Sequence, residues 1–125
     1  MNVDLLRKFV ENCIYLDPND YIGMKKCWTE MINILSDDIT ATIHFFETAC
    51  TDEELYWLGA VFEDVVEKTK NRELIHVLRN RLARVIPETY HQQNFKSKYM
   101  QKWVDYAEYV RTISSDIDYA EEKLQ

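Results

Sequence analysis

Apolar residues recur at intervals of three and four along almost the whole chain, the spacing that lines one face of an α-helix. The first such stripe, near residues 3–15, contains Leu6, Phe9, Val10, Cys13 and Ile14. Asp17-Pro18-Asn19-Asp20 interrupts it, and both proline and aspartate suit a turn followed by a new helix start. A second stripe, near 19–35, carries Tyr21, Met24, Trp28, Met31, Ile32 and Leu35. Ser36 or Asp37 is placed to cap a third helix, near 37–49, with Ile39, Ile43, Phe46 and Ala49 turned inward.

The strongest local signal is Thr51-Asp52-Glu53-Glu54, where a glutamate three residues after a threonine makes a capping box. It predicts a fourth helix over 52–69 that buries Leu55, Leu58, Val61, Phe62, Val65 and Val66. Lys68 and Lys70 lie at its C-terminal end, the sign the helix dipole favours there. Asn71 can cap a fifth helix, near 72–86, carrying Leu74, Ile75, Leu78, Leu82, Val85 and Ile86. Pro87 ends it and is placed to open a short helix near 87–94. A last segment, near 96–122, shows Tyr99, Trp103, Tyr106, Tyr109, Val110 and Ile113, with a break expected at Ser114-Ser115. Short connections between the third, fourth and fifth helices predict antiparallel neighbours. The expected fold is all-α: one domain over 1–125, a compact antiparallel bundle or a short α-solenoid of about six helices.

Composition narrows the picture without changing it. A length of 125 residues suits one domain with its own core. Only two glycines and two prolines occur, too few for the turns of an all-β or doubly wound α/β domain. No run of 18 apolar residues exists to span a membrane. The opening MNVDLLRKFVENC lacks the basic, apolar, small-residue order of a secretion signal. Cys13, Cys27 and Cys50 are odd in number, lack C-x-x-C spacing and sit among apolar neighbours, which reads as reduced core thiols. These features predict a cytoplasmic protein.

Charge is unevenly distributed. Residues 1–67 hold 14 acids and 4 bases, 68–102 hold 2 acids and 9 bases, and 103–125 hold 6 acids and 2 bases. The net charge of −7 is the wrong sign for duplex binding. Lys68, Lys70, Arg72, Arg79, Arg81, Arg84, Lys96, Lys98 and Lys102 mix with aromatic residues, a pattern that can track single strands. The flanking acidic segments would repel phosphates, so pairing of these bases with the acidic helices is the expectation, with no nucleic-acid partner.

Little in the chain suggests catalysis. Glu73/His76 and Glu88/His91 each place a carboxylate beside an imidazole on a helix, as di-iron bundles do twice. Those bundles also need further glutamates and an intervening helix, for which 15 residues straddling Pro87 leave no room. His44 with Glu47 lacks an associated nucleophile, and two glycines cannot form a phosphate-cradling loop. The expectation is therefore a non-enzyme without metal or cofactor. Acids in and beside the third and fourth helices instead suggest docking of a basic protein. Asp52, Glu53, Tyr56, Glu63, Asp64 and Glu67 are the candidate contact residues. Tyrosine supplies an interface anchor, and the like-charge pairs among the acids cost a few tenths of a kcal/mol each until a base relieves them.

Residues 51–79, TDEELYWLGAVFEDVVEKTKNRELIHVLR, resemble helical immunity proteins of bacterial contact-dependent inhibition and polymorphic toxin systems. Leu55, Trp57, Leu58, Phe62, Glu63, Asp64, Lys68, Thr69, Glu73, Leu74 and Ile75 fit that pattern as they stand. The likeness implies a cytoplasmic inhibitor that binds a cognate toxin domain, in many cases a nuclease with a basic cleft. The alternative expectation is a helical adaptor that binds a regulatory partner rather than a toxin.

Overall fold

Side-chain caps set most of the helix boundaries. The protein, seen here as a computed structural model, is described over residues 1–91 and 102–125. Among these it forms α1 (Val3–Tyr15), α2 (Tyr21–Asp37), α3 (Ile39–Thr48), α4 (Asp52–Leu58), a 3-10 turn (Gly59–Val61), α5 (Phe62–Thr69), α6 (Arg72–Ala83) and α7 (Tyr106–Glu122). The described residues contain no β-strand, so the expected all-α class is seen. Asn2, Asp20, Asp38, Thr51, Asn71 and Asp105 each accept a hydrogen bond from the first turn of the helix they precede. At Thr51 the capping box closes in both directions: Glu54 N–H donates to Thr51 Oγ1 at 3.1 Å, and Thr51 N–H donates to Glu54 Oε1 at 2.9 Å.

Five boundaries differ from those the sequence predicts. The cap of α3 is Asp38 rather than Ser36 or Asp37, because α2 runs on to Asp37 and the extended backbone of Asp38 is both its end and the next start. Thr42 then donates to the Leu35 carbonyl at 2.7 Å, satisfying an acceptor at the C-terminus of α2 that would otherwise be orphaned in the core. The predicted helix over 52–69 is split. Glycine propagates a helix poorly, and the Gly59 N–H is shared between the Leu55 and Trp57 carbonyls as the chain tightens into a 3-10 turn. Finally, α7 passes through Ser114 and Ser115 without a break, held by the fully buried Tyr109, Ile113, Ile117 and Ala120. Pro87 opens only a turn over residues 87–89, and α6 ends at Ala83. The start of the last predicted helix at 96–101, with Tyr99, lies outside the described residues, as do 92–94 of the short one.

The helices pack around the short central segment. α7 lies against α4, α5 and α6, while α1 packs on α2 and α4, α2 on α5, and α3 on α6. The three-residue link from α3 to α4 therefore does not make those two the main neighbours. Leu55 to Gly59 are all buried, five in succession, which a helix covered on one side alone cannot achieve. One continuous core runs from Leu6 to Ala120, with Phe46 edge-on to Phe62 at 5.9 Å. Each large apolar side chain buried in it contributes roughly 1.5–3 kcal/mol, whereas an exposed ion pair contributes about 0–1 kcal/mol. Apolar packing, not charge pairing, holds the fold. Tyr21, Ala49, Ile86 and Trp103, expected on inward faces, are exposed instead.

All three cysteines are buried and free. Burial pushes the Cys50 thiol up to about 12, and burial together with the adjacent Cys27 does the same to Cys13. Both are therefore protonated, poor nucleophiles at neutral pH. No helix among the described residues is long and apolar enough to cross a membrane.

Candidate protein-docking surface

The six candidate contact residues fall into three environments. Asp52 opens α4 and is tied inward: its Oδ1 accepts from Arg81 Nη2 at 2.6 Å, and its backbone carbonyl accepts from the Tyr109 hydroxyl at 2.7 Å. Arg81 is itself only 7% exposed and also donates to the Cys50 carbonyl through Nε and Nη2, at 3.3 and 2.8 Å. Asp52 is therefore a junction between α4, α6 and α7. Tyr56 is not a surface anchor. It is 2% exposed, because α7 covers the side of α4 that the sequence pattern left open, and its ring stacks on Tyr109 at 6.0 Å and 18°.

Glu53 lies half-buried beside α1, in a shallow groove with Arg7, Val10, Glu11 and Ile14. Desolvation, reinforced by the neighbouring Glu54 carboxylate, raises its pKa above the usual glutamate value. A folded-state pKa above the unfolded one favours the folded state when the group is protonated, and that advantage is lost as pH rises through the raised value. Glu53→Gln is accordingly expected to raise the urea midpoint at neutral pH and to leave it unchanged below the ordinary glutamate range. Paired urea titrations at the two pH values check this.

Glu63, Asp64 and Glu67 stand on α5. Asp64 and Glu67 are exposed and, among the described residues, make no ion pair. Glu63 has only Lys123 Nζ at 4.0 Å. Lys68 of the same helix donates to Asn33 Oδ1 on α2 at 3.2 Å rather than to an acid. These three carboxylates are remote from Asp52. Tyr109, which meets Asp52, and Lys123, which meets Glu63, bound a helical stretch about 21 Å long at 1.5 Å per residue.

The basic stretch is largely used within the fold. Arg79 pairs with Asp118 at 3.0 Å and Glu121 at 3.1 Å on α7, Arg84 donates to the Phe46 carbonyl, and Lys70 donates to the Lys123 carbonyl. Lys96 and Lys98 lie outside the described residues. Among the described residues, no three histidine, cysteine or carboxylate side chains converge to hold a metal.

One feature escaped the sequence reading. Pro18, Asn19, Tyr21, Met24, Trp28, Trp57 and Ala60 line a surface cleft of ≈ 290 Å³ between the α1–α2 turn, the first turns of α2, and the end of α4 with the 3-10 turn after it. Periodicity assigned Tyr21, Met24 and Trp28 to the core; Met24 and Trp28 are half-buried and pack against it, whereas Tyr21 is exposed.

Compared with family models, curated proteins and solved structures, the chain matches none.

Proposed function

We propose that this chain is a protein-binding module that neutralises a basic bacterial toxin domain, a nuclease in the leading case, by covering its cleft with the acidic surface of α4 and α5. The observation that carries this reading is the outward placement of Glu63, Asp64 and Glu67 with so little internal neutralisation. They stand in a segment with 14 acids against 4 bases, and the bases beside them are Lys68 on the same helix and Lys123, whose Nζ is 4.0 Å from Glu63. Such a surface steers a basic partner and raises association rates toward about 10⁸–10⁹ M⁻¹s⁻¹ at low salt. The like-charge neighbours on α5 each cost a few tenths of a kcal/mol in the free protein, and a basic partner relieves that cost. The likeness of residues 51–79 to helical immunity proteins supports the same reading, and those residues comprise α4, α5 and the first part of α6.

Asp52 and Tyr56 leave the proposed contact set, since both serve the interior. Glu53, Glu63, Asp64 and Glu67 remain. The test is co-expression with the product of the adjacent upstream gene. A stoichiometric complex and restored growth are expected. A neighbour that is not toxic, or that is toxic and not rescued, would leave the adaptor reading in its place.

A further inference from the structure

Apolar side chains left in water are concentrated at one place in this fold. Tyr15 ends α1, Tyr21 and Ile22 open α2, and the three are 80%, 83% and 87% exposed. Single exposed apolar residues are ordinary on a protein surface, but three around one turn form the kind of patch that marks an interaction site. On α2 the exposed positions Tyr21, Ile22, Lys25 and Lys26 share the outward side, opposite the buried Cys27 and Met31. The cleft adjoins this patch through Tyr21 and extends its apolar surface with Met24 and Trp28.

Charge sets the patch apart from the acids of α5. The four bases of residues 1–67 are Arg7, Lys8, Lys25 and Lys26, against 14 acids. Residues 12–29 hold two acids, Asp17 and Asp20, and two bases, Lys25 and Lys26, so this stretch is neutral. A neutral apolar surface has no electrostatic preference for a basic protein or a phosphate backbone. The order of the charges matters as well. Both acids stand in the turn, where Asp17 accepts from the Asn19 N–H and Asp20 from the Gly23 N–H, each at 2.8 Å. Both bases stand about a turn and a half further along α2. Among the described residues, none of these four side chains forms an ion pair.

Such a patch is complementary to itself. A two-fold contact joins the same surface of two molecules, with residue i on j and j on i. When two copies of α2 lie antiparallel about an axis beside Ile22, the acidic turn of each meets the basic positions of the other. A parallel arrangement would set like charges together. We infer that this face docks a second copy of the chain in a two-fold symmetric dimer, with Asp17 and Asp20 of each molecule paired to Lys25 and Lys26 of the other around a centre of Tyr21 and Ile22. Tyr15 and the mouth of the cleft flank that centre. The chain's net charge of −7 opposes association at long range, but physiological salt screens that repulsion beyond about 8 Å. One turn and the start of one helix make a small contact, which places the dimer among weak, transient complexes. The toxin reading is not needed for this inference.

Sedimentation equilibrium of the chain alone at physiological salt, from about 5 μM to about 1 mM, provides the test. The average mass is expected to rise from 15.0 kDa toward twice that value, with a dissociation constant on the order of 10⁻⁴ M. Ile22→Glu changes a side chain that contributes nothing to the core, and is expected to weaken association about ten-fold or more. Lys25→Glu with Lys26→Glu makes the patch wholly acidic, and should weaken it as much. Asp17→Asn with Asp20→Asn makes the patch basic while asparagine keeps both caps, and should also reduce association. An equimolar mixture of these two double variants is then expected to associate more tightly than either alone. A mass fixed at 15.0 kDa throughout, or self-association unchanged by Ile22→Glu, would overturn the inference. A mixture that associates no better than its components would overturn the antiparallel pairing. A monomer that instead sediments with phosphatidylcholine vesicles would assign the patch to a lipid surface and reject the dimer.

Discussion

Tyr109→Ala is expected to destabilise the protein by about 4 kcal/mol, within the roughly 3–5 kcal/mol range for removing a buried aromatic side chain. Tyr109 is fully buried, stacks on Tyr56, and lies 5.2 Å from the Tyr90 ring. Its hydroxyl also ties α7 to the first residue of α4 through the Asp52 carbonyl. A domain of this size has about 5–15 kcal/mol of stability in total, so the loss is a large part of the whole. Tyr109→Phe keeps the ring and removes only the tie, at an expected cost of about 1–2 kcal/mol. Urea unfolding of the two variants separates packing from hydrogen bonding. Equal costs would show that the hydroxyl, not the ring, holds α7 in place.

The second large effect is expected at Arg81. Arg81→Met keeps most of the side-chain volume and removes the guanidinium, which leaves the Cys50 carbonyl without its two donors and Asp52 without its partner. The Asp52 side chain is 41% exposed and can be hydrated, so its share is small. The buried carbonyl dominates, and the total is about 2–3 kcal/mol. Arg79→Met provides the contrast. Arg79 reaches two carboxylates, but all three side chains are exposed, and its loss is expected to cost no more than about 1 kcal/mol. Denaturant midpoints of the two variants should differ clearly. If they coincide, the Arg81 network has no special structural role.

Much of the helical framework is legible in the chain itself. α1 is recovered residue for residue from its apolar spacing, and the Thr51 capping box from four letters of sequence. These depend on local chemistry, which local sequence carries. The burial of Tyr56 does not, because it requires α7, more than fifty residues away, to lie across the second face of α4. A periodicity argument presumes one buried face and so places Tyr56 outside. The division of the 52–69 helix is intermediate: Gly59 is visible in the sequence, but the 3-10 turn over Gly59–Val61, with Gly59 and Val61 both buried, is not. Likewise, the negative sign of the 1–67 segment can be counted, whereas the diversion of Asp52 to Arg81 and the outward placement of Asp64 and Glu67 depend on which helix packs where.

The most direct measurement is calorimetric titration of the purified chain with the toxin domain we propose it neutralises, repeated with Glu63→Lys, Asp64→Lys and Glu67→Lys combined. These side chains lie on the outside of α5, so the variant should keep its circular dichroism and its urea midpoint to within about 1 kcal/mol. An affinity loss of about 100-fold or more is predicted, from removed attraction and added like-charge contact together. An unchanged affinity in a normally folded variant would contradict the account, because the partner would then be held by some other face of the molecule.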